Sequence, residues 1–238
     1  STGGWFGKRG PEEEHAIMSD GELMKLVSVN VGLPQTVQWR DQPVTTGIFK
    51  SPVEGPVALR RHNLEGDRQA DLSVHGGPTK AVYVYPIQHY TYWRDELPDV
   101  DFGWGHFGEN FTVDGMDEAS VYIGDEFGVG TTRLVVTEPR MPCSKLSVRF
   151  ERADMPKRFL QSQRTGFYFG VVEEGEVEAG DTVELISKHP DGLSVADVTS
   201  LYTTERGNVE LLKKALSVAA LPESWSGYFE HQLERLEG

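Results

Sequence analysis

The chain has 238 residues, of which 38% are apolar and 25% charged, so it can bury a sizeable core without disulfides or a structural metal. Its 23 Lys and Arg face 37 Asp and Glu, and the net charge of -14 repels a phosphate backbone; no basic run offsets it, so nucleic acid is excluded as a partner and a locally positive pocket for a small anion is favoured. The single cysteine excludes an internal disulfide and a Cys-rich zinc or iron–sulfur site, no apolar run approaches the roughly 18 residues of a membrane helix, and no secretory core is present, so a cytoplasmic setting without membrane insertion is expected.

Residues 1–23 show neither strand alternation nor a long amphipathic helix and read as an N-terminal extension, in part vector-derived, with Met18 and Met24 as alternative starts. From Met24 onward short β-like runs recur at Lys25 to Asn30, Val57 to Arg60, Ala81 to Tyr85, Arg133 to Glu138, Phe167 to Val172 and Thr182 to Ile186. Turn signals at Gly66-Asp67, Gly76-Gly77-Pro78, Gly124-Asp125 and Gly180-Asp181 separate most of them. Runs this short and irregular do not suit a doubly wound parallel sheet; a mainly β fold, closed or nearly closed into a barrel over residues 24–188, is expected. Two helices interrupt it, one from near Pro86 toward Leu97 and one around Pro156 to Arg164, with Tyr90, Trp93 and Leu97 forming a core-facing stripe. The acidic run Glu173 to Glu178 reads as a solvated turn.

After Lys188-His189-Pro190-Asp191-Gly192 the composition turns helical, and residues 189–238 read as a small all-α three-helix domain. Ser194 and Asn208 are expected to cap its first two helices and Pro222 to open the third. A unit of this size buries little surface alone, so it packs against the barrel or against another copy in a homo-oligomer.

Three clusters could carry chemistry. Glu138-Pro139-Arg140-Met141-Pro142-Cys143-Ser144-Lys145-Leu146 places a thiol at a Pro-constrained strand exit between two cations, which favour the nucleophilic, metal-ligating thiolate; the bland alternative is a small buried apolar residue. The stretch from Gly66 to Ala81 sets His75 and Lys80 around Gly76-Gly77, where backbone amides can approach an anion, or where His75 merely braces a turn. In Gly105-His106-Phe107-Gly108-Glu109-Asn110-Phe111, Glu109 and Asn110 could orient the polar edge of a heterocycle or cap a turn.

Taken together, Gly66-Asp67 with Gln69-Ala70-Asp71, His75-Gly76-Gly77 with Lys80, Tyr85-Pro86 with Tyr90 and Trp93, Phe107-Gly108-Glu109-Asn110, Ile123-Gly124-Asp125, and Pro139-Arg140 with Pro142-Cys143 and Lys145-Leu146 resemble the MOSC family, named for the C-terminal domain of molybdenum-cofactor sulfurases, in its YiiM-like branch. Leu193 to Val198 and Pro222-Glu223-Ser224-Trp225 resemble that branch's appended three-helix domain. The resemblance implies a β-barrel that binds molybdenum cofactor (molybdopterin), with Cys143 as catalytic centre and molybdenum ligand or as sulfur carrier. It further implies an oxidoreductase that reduces N-hydroxylated compounds such as 6-hydroxylaminopurine, with electrons from a separate reductase. No flavin or nicotinamide motif is evident and pyridoxal phosphate is not expected. In this reading Lys50, His75, Lys80, Arg140 and Lys145 hold the pterin phosphate or nearby anionic atoms and Asn110 reads the pterin edge; Lys50, chosen for its charge at a strand exit, has the alternative of an ordinary surface lysine. Two other functions compete: a cofactor or sulfur carrier using a Cys143 persulfide, and a noncatalytic anion-binding interaction protein whose helical appendage does the work.

Overall fold

The computed structural model describes residues 23–68 and 77–238. Five strands come first: β1 (Lys25–Val31), β2 (Gln35–Trp39), β3 (Gln42–Thr46), β4 (Ser51–Pro52) and β5 (Val57–Leu59). After them come β6 (Val82–Pro86), α1 (Ile87–Glu96), β7 (Phe111–Asp114), β8 (Glu126–Val129), β9 (Thr132–Pro139), α2 (Ser144–Phe150) and α3 (Met155–Ser162). The chain ends with β10 (Phe167–Glu173), β11 (Gly175–Val177), β12 (Val183–Ser187), α4 (Val195–Tyr202), α5 (Val209–Ser217) and α6 (Glu223–Glu237).

Eight strands form one sheet in the order β12-β8-β9-β10-β6-β7-β1-β4, and only the β6–β7 pair is parallel. The sheet is mainly β with helices, as expected, but its ladder does not close into a continuous barrel. The seam between β12 and β1 is joined by one bridge, Lys25 to Thr182, and by short main-chain bonds such as Leu26 N to Asp181 O at 2.9 Å and Val183 N to Met24 O at 2.9 Å. Two helix and strand expectations need correction. Residues 175–177 of the acidic run pair with β5 instead of remaining a turn, and α2, which begins directly after Cys143, is absent from the sequence reading. Its seven residues are too few to display a helical period. The β2–β3 hairpin also escaped notice, because its two-residue loop is Arg40-Asp41 at φ 48° and 61°, positions where Gly or Asn is the usual signal.

β6 divides the core. All five of its residues are buried, and alternation sends Val82 and Val84 to one face and Tyr83 and Tyr85 to the other. The valines join Leu26, Phe111, Leu134, Phe167 and Phe169 inside the sheet, and this cluster continues through Leu193, Val198 and Leu212 to Trp225 and Phe229 of the C-terminal helices. The tyrosines enter an aromatic cluster with Tyr90, Trp93, Phe107, Phe150 and Phe159, where burying each ring contributes about 1.5–3 kcal/mol. Trp93 Nε1 donates to Tyr85 Oη at 2.8 Å and Tyr85 Oη donates to the Arg164 carbonyl at 3.1 Å, so the polar tips in this layer are satisfied. Gly166 lets β10 start against β6: at φ +65°, an added Cβ would lie 2.3 Å from the Val84 carbonyl oxygen.

The three C-terminal helices start where capping chemistry places them. Ser194 and Asp197 form a reciprocal capping box on α4, the Asn208 side chain accepts from Leu211 N on α5, and Pro222 precedes α6. α4 packs on β9, the strand that leads into the Cys143 segment.

Candidate functional site

β9 ends at Pro139, and Arg140 to Pro142 carry the chain to Cys143, which is half-buried in extended conformation (φ -130°, ψ 172°) at the start of α2. Arg140 is buried with its guanidinium carbon 4.9 Å from the Tyr83 ring centre and 5.1 Å from that of Phe159. These two contacts hold the guanidinium against the rings. Its Nη1 is buried and has no hydrogen-bond partner among the described residues. Tyr168 hydrogen-bonds to Arg140 and shares an electrostatic neighbourhood with Cys143; burial pushes its phenol up to about 12, so it stays neutral at physiological pH. Glu138, paired across the ladder with Tyr168, holds Lys80 through an Oε2–Nζ distance of 3.8 Å. Cys143, Arg140 and Lys80 thus gather at the exit of β9.

Lys50 and Asn110 lie in an adjoining buried network. Lys50, far from being a surface lysine, is 7% exposed and ion-paired to Asp67; burial holds its amine below the ordinary lysine range, with Asp67 opposing that shift. Asn110 Nδ2 donates to Asp67 Oδ2 at 2.9 Å and to the Asn30 carbonyl at 3.2 Å, while its Oδ1 accepts from Tyr83 N at 3.1 Å. Its amide is therefore engaged in joining β1, β6 and the Asp67 turn, and both of its donor hydrogens are used. Glu109 is fully buried, and its carboxylate accepts from Tyr90 Oη, Gly105 N, Phe107 N and Thr112 Oγ1. Burial pushes its carboxyl upward, and hydrogen bonds from Tyr90, the Glu109 and Gly105 backbone and Thr112 pull it back. Gly105, at φ +81°, allows that loop to pass the Lys50 carbonyl, which an added Cβ would approach to 2.9 Å.

Tyr83 links the two groups, since its backbone bonds to Asn110 while its ring lies against Arg140. Lys145 is half-buried in the first turn of α2 and makes no ion pair among the described residues. His75 lies outside the described residues. Sequence reasoning did not single out Tyr83 or Tyr168 and placed Trp225 in the helical appendage alone; the one visible signal was that Glu138 directly precedes Pro139-Arg140.

The residues suit an anionic, thiolate-ligated group. A soft sulfur donor, a buried guanidinium with an unmatched N–H, and a nearby lysine are donors of the kind that would hold a molybdenum-bearing pterin phosphate.

A separate cleft of 710 Å³ lies near the other end of α2, lined in part by Trp39, Phe49, Asp101, His106, Arg149 and Phe150. Arg149 Nη2 lies 3.1 Å from His106 Nδ1, so that nitrogen accepts and the ring is neutral. Burial and then the Arg149 charge push His106 down to about 3 from its ordinary 6.5. The unfolded chain therefore takes up a proton near pH 6.5 that the native chain refuses, and stability falls as pH drops from there toward 3. His106→Asn, which keeps an acceptor for Arg149 without titrating, is expected to remove about 2 kcal/mol of the stability loss between pH 7 and pH 4.5 in urea denaturation. Equal losses in both proteins would show that His106 does not drive this limb.

An eight-stranded antiparallel-rich sheet with a thiol and cations at one strand exit, and a three-helix unit whose α4 packs on that strand, defines a MOSC-type architecture with a YiiM-like appendage. Comparison with known proteins is in accord: the MOSC domain model matches residues 71–184 and the YiiM-like 3-alpha helix domain model matches residues 193–236. The chain is 41% identical over 215 residues to the uncharacterized protein YflK of Bacillus subtilis, covering 90% of this chain and 97% of YflK. It is 34% identical over 172 residues to a protein of Gibberella moniliformis named as a reductase, covering 71% of this chain and 30% of the fungal protein. The crystal structure of YiiM from Geobacillus stearothermophilus superposes with a TM-score of 0.74 at 37% identity, covering 88% of this chain and 99% of YiiM. The chain belongs to the MOSC family, in its YiiM-like branch.

Proposed function

We propose that the protein binds molybdenum cofactor through Cys143 and reduces small N-hydroxylated compounds, such as 6-hydroxylaminopurine, with electrons delivered by a separate reductase. The observation that supports it most directly is the orphaned Arg140 Nη1, a buried donor with no described protein partner beside a thiol. The reductase name of the fungal relative is in keeping with redox chemistry. The overall reaction is R–NHOH + 2e⁻ + 2H⁺ → R–NH₂ + H₂O: the N–O bond breaks, nitrogen gains two electrons, and oxygen leaves as water. The cofactor, once bound, would supply the two-electron exchange.

The chain's own residues bind, orient and exclude water. Cys143 provides the ligating thiolate. Arg140, held against the Tyr83 and Phe159 rings, presents its unmatched N–H to an anionic oxygen, and Lys80 adds charge. The Tyr168 phenol, neutral because it titrates near 12, can donate a hydrogen bond next to Cys143 without adding charge. Lys50 and Asn110 are tied together through Asp67, so they brace the strands beside the site.

The test is to produce the protein with molybdenum cofactor available, then measure bound molybdenum and donor-dependent reduction of 6-hydroxylaminopurine. Molybdenum with turnover supports the reading. Molybdenum without turnover makes the protein a cofactor carrier, and a persulfide on Cys143 makes it a sulfur carrier.

A further inference from the structure

The C-terminal helices reach directly into the site just described. Trp225, in the first turn of α6, is buried and donates from Nε1 to Glu138 Oε2 at 3.0 Å. That same oxygen faces Lys80 Nζ at 3.8 Å. The indole is held by ring contacts to Tyr202 of α4 at 5.9 Å and Phe229 of α6 at 5.5 Å, so its N–H has little freedom to turn away. A buried carboxylate that accepts from a fixed donor keeps one orientation, and it thereby fixes the cation opposite.

We infer that Trp225 is a positioning residue for Lys80, acting through Glu138, so that the three-helix unit forms part of the cofactor site instead of serving only as a surface for partners. The inference rests on the reading of Lys80 as a cofactor-holding cation. Packing alone would need only a large apolar ring at this position; the indole N–H aimed at a buried carboxylate of the strand that leads to Cys143 is the additional feature. Through it, a shift of α6 against β9 changes where Lys80 sits.

The measurement uses the full chain. The Trp225 indole N–H resonance, assigned by its disappearance in Trp225→Phe, is expected to move in Lys80→Met and on loading with molybdenum cofactor. A resonance that stays in place in Lys80→Met overturns the relay. Trp225→Phe keeps the ring and loses the donor, and it is expected to shorten molybdenum retention during buffer exchange roughly fivefold, less than the full loss of a charge-assisted hydrogen bond because the effect passes through Lys80. Adding it to Lys80→Met should then cost nothing further, whereas additive losses show that Trp225 acts independently of Lys80. Should Trp225→Phe fold poorly, the response of the Trp225 resonance to Lys80→Met carries the test in a chain with a native helical unit. If that resonance moves while Lys80→Met retains molybdenum as well as the parent, the relay stands and the assignment of Lys80 to the cofactor falls.

Discussion

Cys143→Ser is expected to purify with at least roughly a hundredfold less bound molybdenum than the parent and to lose reduction of 6-hydroxylaminopurine to the same extent. Groups that only support a metal ligand already cost about 10–100-fold when removed, and the ligand itself should cost more. A serine hydroxyl is isosteric within a few tenths of an ångström, but it is a hard, neutral donor at physiological pH where a thiolate is soft and anionic. Cys143 is half-buried and its side chain makes no capping bond to α2, so the exchange should alter thermal stability by no more than about 1 kcal/mol. That separation gives the test its force: metal and activity are lost from a chain that melts normally. Unchanged molybdenum content in Cys143→Ser would remove the thiol from the centre of the site. Loss of activity with molybdenum retained would leave Cys143 a role in chemistry but not in ligation.

The sequence made some parts of the molecule legible because their signals are local. The run from Ala81 to Tyr85 reads as a strand from β-branched and aromatic residues alone, and Ser194, Asn208 and Pro222 each announce a helix start by chemistry confined to one turn. Cys143, Arg140 and Lys145 were visible because they crowd into six residues. What could not be read depends on contacts distant in the chain. The Trp225–Glu138 bond spans 87 positions, the Asn110–Asp67 bond 43, and the packing of Tyr83 against Arg140 requires β6 and the exit of β9 to meet across β10. Asn110 illustrates the limit. A polar side chain beside Glu109 at a strand entrance suits heterocycle recognition equally well as a structural joint, and only the positions of Tyr83, Asn30 and Asp67 show that its amide is bonded within the fold. α2 was missed for a different reason, since its seven residues offer no period to detect.

Arg140→Met should separate stability from cofactor binding in the opposite sense to an ordinary core mutation. In the protein alone, Arg140 is costly: its guanidinium is buried, Nη1 has no described partner, and the Tyr83 and Phe159 rings return only about 0.5–2 kcal/mol of cation–π attraction. Methionine fills similar volume and leaves no buried donor unmatched. The Tyr168 hydroxyl loses its Arg140 bond, a cost that offsets part of this gain. Thermal unfolding of the cofactor-free chain should therefore shift by no more than a few degrees and can rise, as replacements of buried charges by apolar residues show. Molybdenum retention should fall at least tenfold, since truncating one side of a desolvated charge pair costs about 2–5 kcal/mol. Arg140→Lys discriminates further, because it keeps the charge but not the planar fork; retention between that of Met and the parent would show that geometry as well as charge holds the anion. Full retention in Arg140→Met would mean that Nη1 faces no ligand atom, while a large fall in melting temperature would mean that the guanidinium braces the β9 exit. The expected pattern, a stable chain that no longer keeps its cofactor, is that of a residue placed against the fold's own interest for the sake of its ligand.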